Sequence, residues 1–167
     1  MRRPRDAVAG VLVGWSGLPA GFDEAALRAE IEADWVEETG ERVAVRYRVL
    51  RGTRTGEPQR IEAWIRAGEE PVNSIEFRPP TRSDYTAALA DLGEPELVLT
   101  SNLVEPGASV SDRVYATRGI TVTAAEPYEH TGGDPYIAYV QLYASTDTQG
   151  YVIRVGQAGY TLHPFPR

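Results

Sequence analysis

The residues best suited to chemistry gather in one short stretch, AEPYEHTGGDP, which holds Glu126, Glu129, His130 and Asp134. Carboxylates and an imidazole are donors that hold a divalent cation. Their spacing fits no recognised metal motif, however, and the glycines suit an ordinary turn. The other histidine, His163, lies in the proline-bounded TLHPFPR and reads as a surface residue. With no cysteine, thiolate catalysis, cysteine-rich zinc sites and disulfides are excluded, and the chain is compatible with a reducing cytosol. None of the seven serines sits in a nucleophile elbow, and no phosphate-cradling or dinucleotide glycine motif occurs. Nucleophilic and acid–base catalysis need a positioned base beside the reacting group. No such pattern is found, so the expectation is a protein that is not an enzyme and carries no cofactor and no metal.

Composition narrows the partner. The chain has 167 residues, enough for one good-sized domain or two modules sharing a core without staples. Its 17 basic residues face 24 acidic ones, a net charge of −7. That balance disfavours nucleic acid and anionic membrane, which are bound through many phosphate contacts, and it suits a cationic protein. Every basic residue is arginine, a planar fork matched to carboxylates and aromatic faces. Together with abundant Ala, Gly, Val and Pro this reads as GC-rich bacterial coding. The start, MRRPRDAVAGVLVGWSGLPAG, imitates a signal peptide, but its apolar run from Ala7 to Trp15 is short, broken by Gly10 and Gly14, and lacks a convincing cleavage site. A cytoplasmic protein is expected. No run approaches a membrane span.

The elements that would position functional side chains follow from periodicity. FDEAALRAEIEADWVEETG predicts a helix over 22–40, with Asp23 as N-cap, Phe22 as staple, Leu27, Ile31 and Trp35 four apart, and Gly40 as C-cap. RVAVRYRVL, RIEAWIRA and NSIEFRPP alternate as strands, the first two joined by the loop RGTRTGEPQ. TRSDYTAALADLG predicts a second helix with Thr81 and Ser83 as candidate caps, Tyr85, Leu89 and Leu92 on one stripe, and Gly93 closing it. ELVLTS, RVYATRG, ITVTAAE and YIAYVQLYA predict four more strands, separated by EPGASVSD, Gly119 and PYEHTGGDP.

A faint repeat links the two ends of this pattern. Aligning Ile75 with Val140 sets Phe77 on Leu142, Thr81 on Thr146 and, after one inserted glycine, Tyr85 on Tyr151. The implied fold is α+β: two related halves, 1–80 and 81–167, each a helix followed by an antiparallel β-meander. The helices would pack on one sheet face and the halves would share a core. Thr146 and Gln149 could open a closing helix over 146–155 as a capping box, although Val152, Ile153 and Val155 favour a strand.

Two surfaces stand out. The first helix carries Glu24, Glu30, Glu32, Asp34, Glu37 and Glu38 against a single Arg28. Such a strip is either a solvated face or one that steers a basic partner. Sorted by parity, the strands place Val43, Val45, Tyr47, Ile61, Ala63, Ile65, Ile75 and Phe77 on one side, and Arg46, Arg48, Glu62, Trp64, Arg66, Glu76 and Arg78 on the other. In the second half Ala138, Val140 and Leu142 oppose Ile137, Tyr139, Gln141 and Tyr143, while Tyr115 alternates with Val114 and Ala116. Arg, Trp and Tyr on an open sheet face are the residue types of interaction hot spots. A self-satisfied ladder of Arg–Glu pairs with arginine stacked on Trp64 is the simpler reading. The partner-binding candidates are therefore Arg46, Arg48, Trp64, Arg66, Tyr115, Tyr139, Tyr143, Glu30, Asp34 and Glu37.

The segments LADLGEP, VYATRGITVT and YIAYVQLYASTDTQGY resemble small bacterial α+β proteins in which a helix ends in Leu-Gly-x-Pro before an antiparallel meander and a short closing helix. The pattern is similar to immunity proteins of polymorphic toxin systems and to secretion-chaperone-like modules. A tandem form also resembles, in architecture only, the β-lactamase inhibitory proteins. The resemblance implies a non-catalytic protein-binding module that occludes a partner, and it carries no catalytic residue to transfer. The alternatives are a structural subunit of a larger bacterial assembly, and a small-ligand binder or enzyme with a pocket between the halves lined by Tyr115, Tyr139, Tyr143 and His130.

Overall fold

The computed structural model describes residues 2–42, 44–54, 60–79, 85–101 and 105–152. Eight strands form one antiparallel sheet: β1 Asp34–Arg42, β2 Val45–Thr53, β3 Arg60–Arg66, β4 Ser74–Phe77, β5 Leu97–Thr100, β6 Ala108–Tyr115, β7 Ile120–Pro127 and β8 Tyr136–Tyr143. Their order is β1-β2-β3-β4-β8-β7-β6-β5, two consecutive meanders joined where β4 pairs with β8. Helices are few and short: α1 Pro4–Val8, α2 Glu24–Glu30, α3 Tyr85–Leu92 and a single turn, α4, at Thr148–Gly150. Among the described residues no helix is long and apolar enough to cross a membrane.

The long helix expected over 22–40 is only α2. Asp23 caps it as expected, accepting from the Ala26 N–H at 2.8 Å, but Ile31 leaves the helix at φ −124° and ψ 107°. The chain then runs as β1, paired with β2 over nine positions from Asp34↔Thr53 to Arg42↔Val45. Charge explains the outcome. On a helix the acids would face one another, whereas beside β2 they meet arginines. Glu37 takes Arg48 at 2.9 Å, Glu38 takes Arg51, and Glu41 lies directly opposite Arg46. Gly40 therefore caps nothing. It lets β1 approach, since a Cβ there would lie 2.8 Å from Val49 Cγ2 and 3.0 Å from the Trp64 ring.

The first sheet face carries the main core. Leu50, Ile61, Ala63, Ile65, Ile75, Phe77, Ile120, Val122, Val140 and Leu142 join Ala7 and Val8 of α1, Leu27 of α2 and Leu92 of α3 in one cluster. The signal-like run is part of that core: Leu12 and Trp15 are buried, and the Trp15 indole donates to the Gly119 carbonyl at 3.1 Å. β2 has the opposite parity to the one expected. Leu50 pairs with Ala63 and faces the core, which turns Tyr47 and Val49 to the Trp64 side and sends Arg46 and Arg48 to the core side. Val43 lies outside the described residues.

In the second half, Gly93 follows α3 with φ 77° as expected, while Thr81 and Ser83 lie outside the described residues. β6 begins at Ala108, inside the segment expected to be a loop. The closing turn is capped by Asp147, which accepts from the Gly150 N–H at 2.6 Å, rather than by Thr146. Residues beyond Val152 lie outside the described set.

Candidate functional site

The second sheet face holds a buried polar centre built around Trp64 and Glu76. On β3, Trp64 is 7 % exposed and meets Tyr47 edge-on at 5.7 Å. Arg42, at the end of β1, lies over the indole with its guanidinium carbon 3.3 Å from the ring centroid. Its two terminal nitrogens fork onto Glu76 of β4, Nη1 to Oε1 at 2.8 Å and Nη2 to Oε2 at 3.0 Å. Between β1 and β4 lie three strand spacings of ~4.8 Å each in a flat sheet. The β1–β2 hairpin must therefore curl over this face, as strongly twisted antiparallel ribbons do.

Glu76 is 2 % exposed, and buried carboxylates need partners. Besides Arg42 it accepts from Ser74 Oγ at 3.2 Å, Tyr139 Oη at 2.9 Å and Gln141 Nε2 at 3.0 Å. Burial, and then the Glu76 carboxylate, push the Tyr139 phenol well above its ordinary value, so it stays a donor. Further along the face Thr123 donates to Asp112 at 2.5 Å, and Tyr143 donates to the Ile120 carbonyl at 3.0 Å. Burial likewise raises the Tyr143 and Tyr151 phenols. The cluster thus pairs a carboxylate that accepts from several donors with phenols held neutral.

The second feature is the sheet margin. β1 is the terminal strand, with Asp34, Val36, Glu37, Glu38 and Glu41 exposed along it. Asp34 and Glu41 have no ion-pair partner among the described residues, and Val36 is 60 % exposed. Behind the strand, Arg48 ties α2 to β1, binding Glu24 at 2.7 Å and Glu37 at 2.9 Å. Those bonds hold both carboxyls below their ordinary value of 4.5.

The sequence candidates therefore divide among three places. Trp64 and Tyr139 meet around Glu76, and Tyr143, with no exposure, lies farther along the same face. Arg66 is on that face, half-exposed, in a 3.7 Å ion pair with Glu69. Arg46 and Arg48 are on the core side, Asp34 and Glu37 lie on β1 rather than on a helix face, and Glu30 is the last residue of α2, in a 3.6 Å ion pair with Arg3. Tyr115 belongs to the main core, its hydroxyl donating to the Gly93 carbonyl at 3.1 Å. It thus lies on the opposite sheet face from Tyr139 and Tyr143. The open aromatic face is corrected in the same way: Trp64 and Tyr143 are covered, because the curled hairpin and the Tyr151 ring pack onto them. Arg42 is not among the sequence candidates and Gln141 is placed on this face without a role, although Glu76 amid the apolar SIEF signals a buried charge that must find a cation.

His130 stacks on Tyr128 at 5.5 Å in the β7–β8 loop, and among the described residues no three acidic or histidine side chains assemble a metal site. An open cleft of about 480 Å³ lies between the amino-terminal segment and α2, with Arg2, Arg3 and Glu30 around Phe22, Ala26 and Ala29. No protein-family model matches the chain, and no curated protein or solved structure matches it.

Proposed function

We propose that the chain is a non-catalytic protein-binding module that occludes a cationic protein partner, as an immunity or inhibitor protein does. The observation that carries this reading is the β1 margin: a nine-residue terminal strand, exposed and acidic, with a bare valine among the acids. Acidic strips raise the encounter rate with basic proteins, and a terminal strand offers backbone donors and acceptors to a partner's strand.

The same reading takes the fold as two related halves with the helices on one sheet face. In its support, a helix precedes each four-strand meander, and β4 pairs with β8 at the junction. Matching Ile75 to Val140 carries the pair Ile75↔Leu142 onto Val140↔Phe77, so a local two-fold passes through Glu76↔Gln141.

The test is affinity capture from lysate of the source organism at moderate salt, with tagged wild-type chain beside Asp34→Lys/Glu41→Lys. The expected result is one basic protein in stoichiometric amount that the variant loses while keeping its thermal midpoint. Capture of nothing, or of a set of assembly subunits indifferent to the variant, would overturn the reading.

A further inference from the structure

We propose that Trp64 and Glu76 form a guanidinium receptor, filled by Arg42 in the free chain and by an arginine of the partner in the complex. The proposal rests on the protein-binding reading for its occupant and on the following geometry for its chemistry.

The receptor has the three parts that distinguish a guanidinium from an ammonium. The Trp64 face receives the flat cation at 3.3 Å, and the Glu76 carboxylate meets its two terminal nitrogens with parallel bonds of 2.8 and 3.0 Å. Lysine can stack or pair there as a point charge, but it cannot do both with a planar fork. The third part is a spare acceptor. The Gln141 amide is fixed by its Nε2 bond to Glu76, and its Oε1 is buried with no hydrogen-bond partner, in a residue only 5 % exposed. A guanidinium has five N–H donors, so a partner arginine entering at a different angle can engage the carboxylate and this oxygen together.

Arg42 is placed to yield. Its side chain keeps 22 % exposure above a carboxylate with 2 %, so it separates Glu76 from solvent. It is delivered by the β1–β2 turn, in which Ala44 has φ 60°, a left-handed conformation that alanine disfavours. A local conformational cost thus sits at Ala44, two residues from Arg42, which itself ends the acidic β1 strand. A basic strand approaching β1 reaches the receptor at the strand's end.

The test is chemical rescue in the full chain. Arg42→Ala is titrated with N-acetyl-arginine methylamide, with N-acetyl-lysine methylamide as control at equal ionic strength, reading the thermal midpoint. The expected result is a saturable rise with the arginine probe, at least ~10-fold weaker with the lysine probe, and absent in Arg42→Ala/Glu76→Gln. No saturable rise, equal response to both probes, or a rise that survives Glu76→Gln would overturn the proposal. Should Arg42→Ala fail to fold, Arg42→Gln, which keeps a polar cover over the ring, is titrated in the same way with the same outcomes. Rescue without a captured partner would sink only the protein-binding reading, and capture without rescue only the receptor.

Discussion

Replacing Arg42 by alanine removes two charge-assisted bonds and the stacked cation from a carboxylate that is 2 % exposed. An exposed pair would lose under ~1 kcal/mol, whereas breaking a buried pair from one side costs ~3–5 kcal/mol because a charge is left buried. Ser74, Tyr139 and Gln141 still donate to Glu76, so the low end, ~3 kcal/mol, is expected. At ~2–4 °C per kcal/mol for a chain of this size the thermal midpoint falls by ~6–12 °C. Glu76→Ala should cost less, ~2 kcal/mol, since the Arg42 cation, 22 % exposed, stays partly solvated over Trp64 while neutral donors lose an acceptor. Once the carboxylate is gone, removing Arg42 forfeits only the stack on Trp64, ~0.5–1 kcal/mol. The double variant should therefore fall ~2 kcal/mol short of the sum, a coupling read by urea unfolding of all four proteins. An Arg42→Ala loss under ~1 kcal/mol, or strict additivity, would refute the buried-fork account.

Three further outcomes are expected. Gly40→Ala should destabilise by ~1–3 kcal/mol in urea unfolding, because its Cβ would press on Val49 and Trp64; a neutral result would mean that β1 is not held against them. Ala44→Gly should raise the thermal midpoint slightly, since relief of ~1–2 kcal/mol of left-handed strain exceeds the ~0.4–1 kcal/mol that glycine returns through unfolded-state freedom. Glu24 and Glu37 have their folded values lowered, by Arg48 first, so their contribution is complete above the unfolded value near 4.5 and fades as pH falls through it to the folded values. Urea midpoints between about pH 6 and pH 3 should fall less steeply in Arg48→Ala than in wild type; parallel curves would contradict the assignment.

Most strands were legible because alternation reports a half-buried sheet directly: RIEAWIRA, ITVTAAE and YIAYVQLYA all became strands near their expected places. The first helix misled because Leu27, Ile31 and Trp35 keep helical spacing across a boundary that only the partner strand defines. No local signal shows that Glu37 and Glu38 will find Arg48 and Arg51. The same blindness set the parity of β2. RVAVRYRVL holds apolar residues at both Val49 and Leu50, and tertiary packing alone decides which one enters the core. The site was half legible. Trp64 and Tyr139 were named, yet their link runs through Glu76 to Arg42 at the far edge of the meander, a closeness that depends on sheet curl.

The central claim, that a cationic protein is held at the β1 margin, is tested most directly by hydrogen exchange on the wild-type chain with and without its captured partner. Protection on binding should concentrate in residues 34–42, Arg42 at the strand's end included. Protection confined to β5, β6 and β7, or unchanged exchange along β1 in a stable complex, would contradict it.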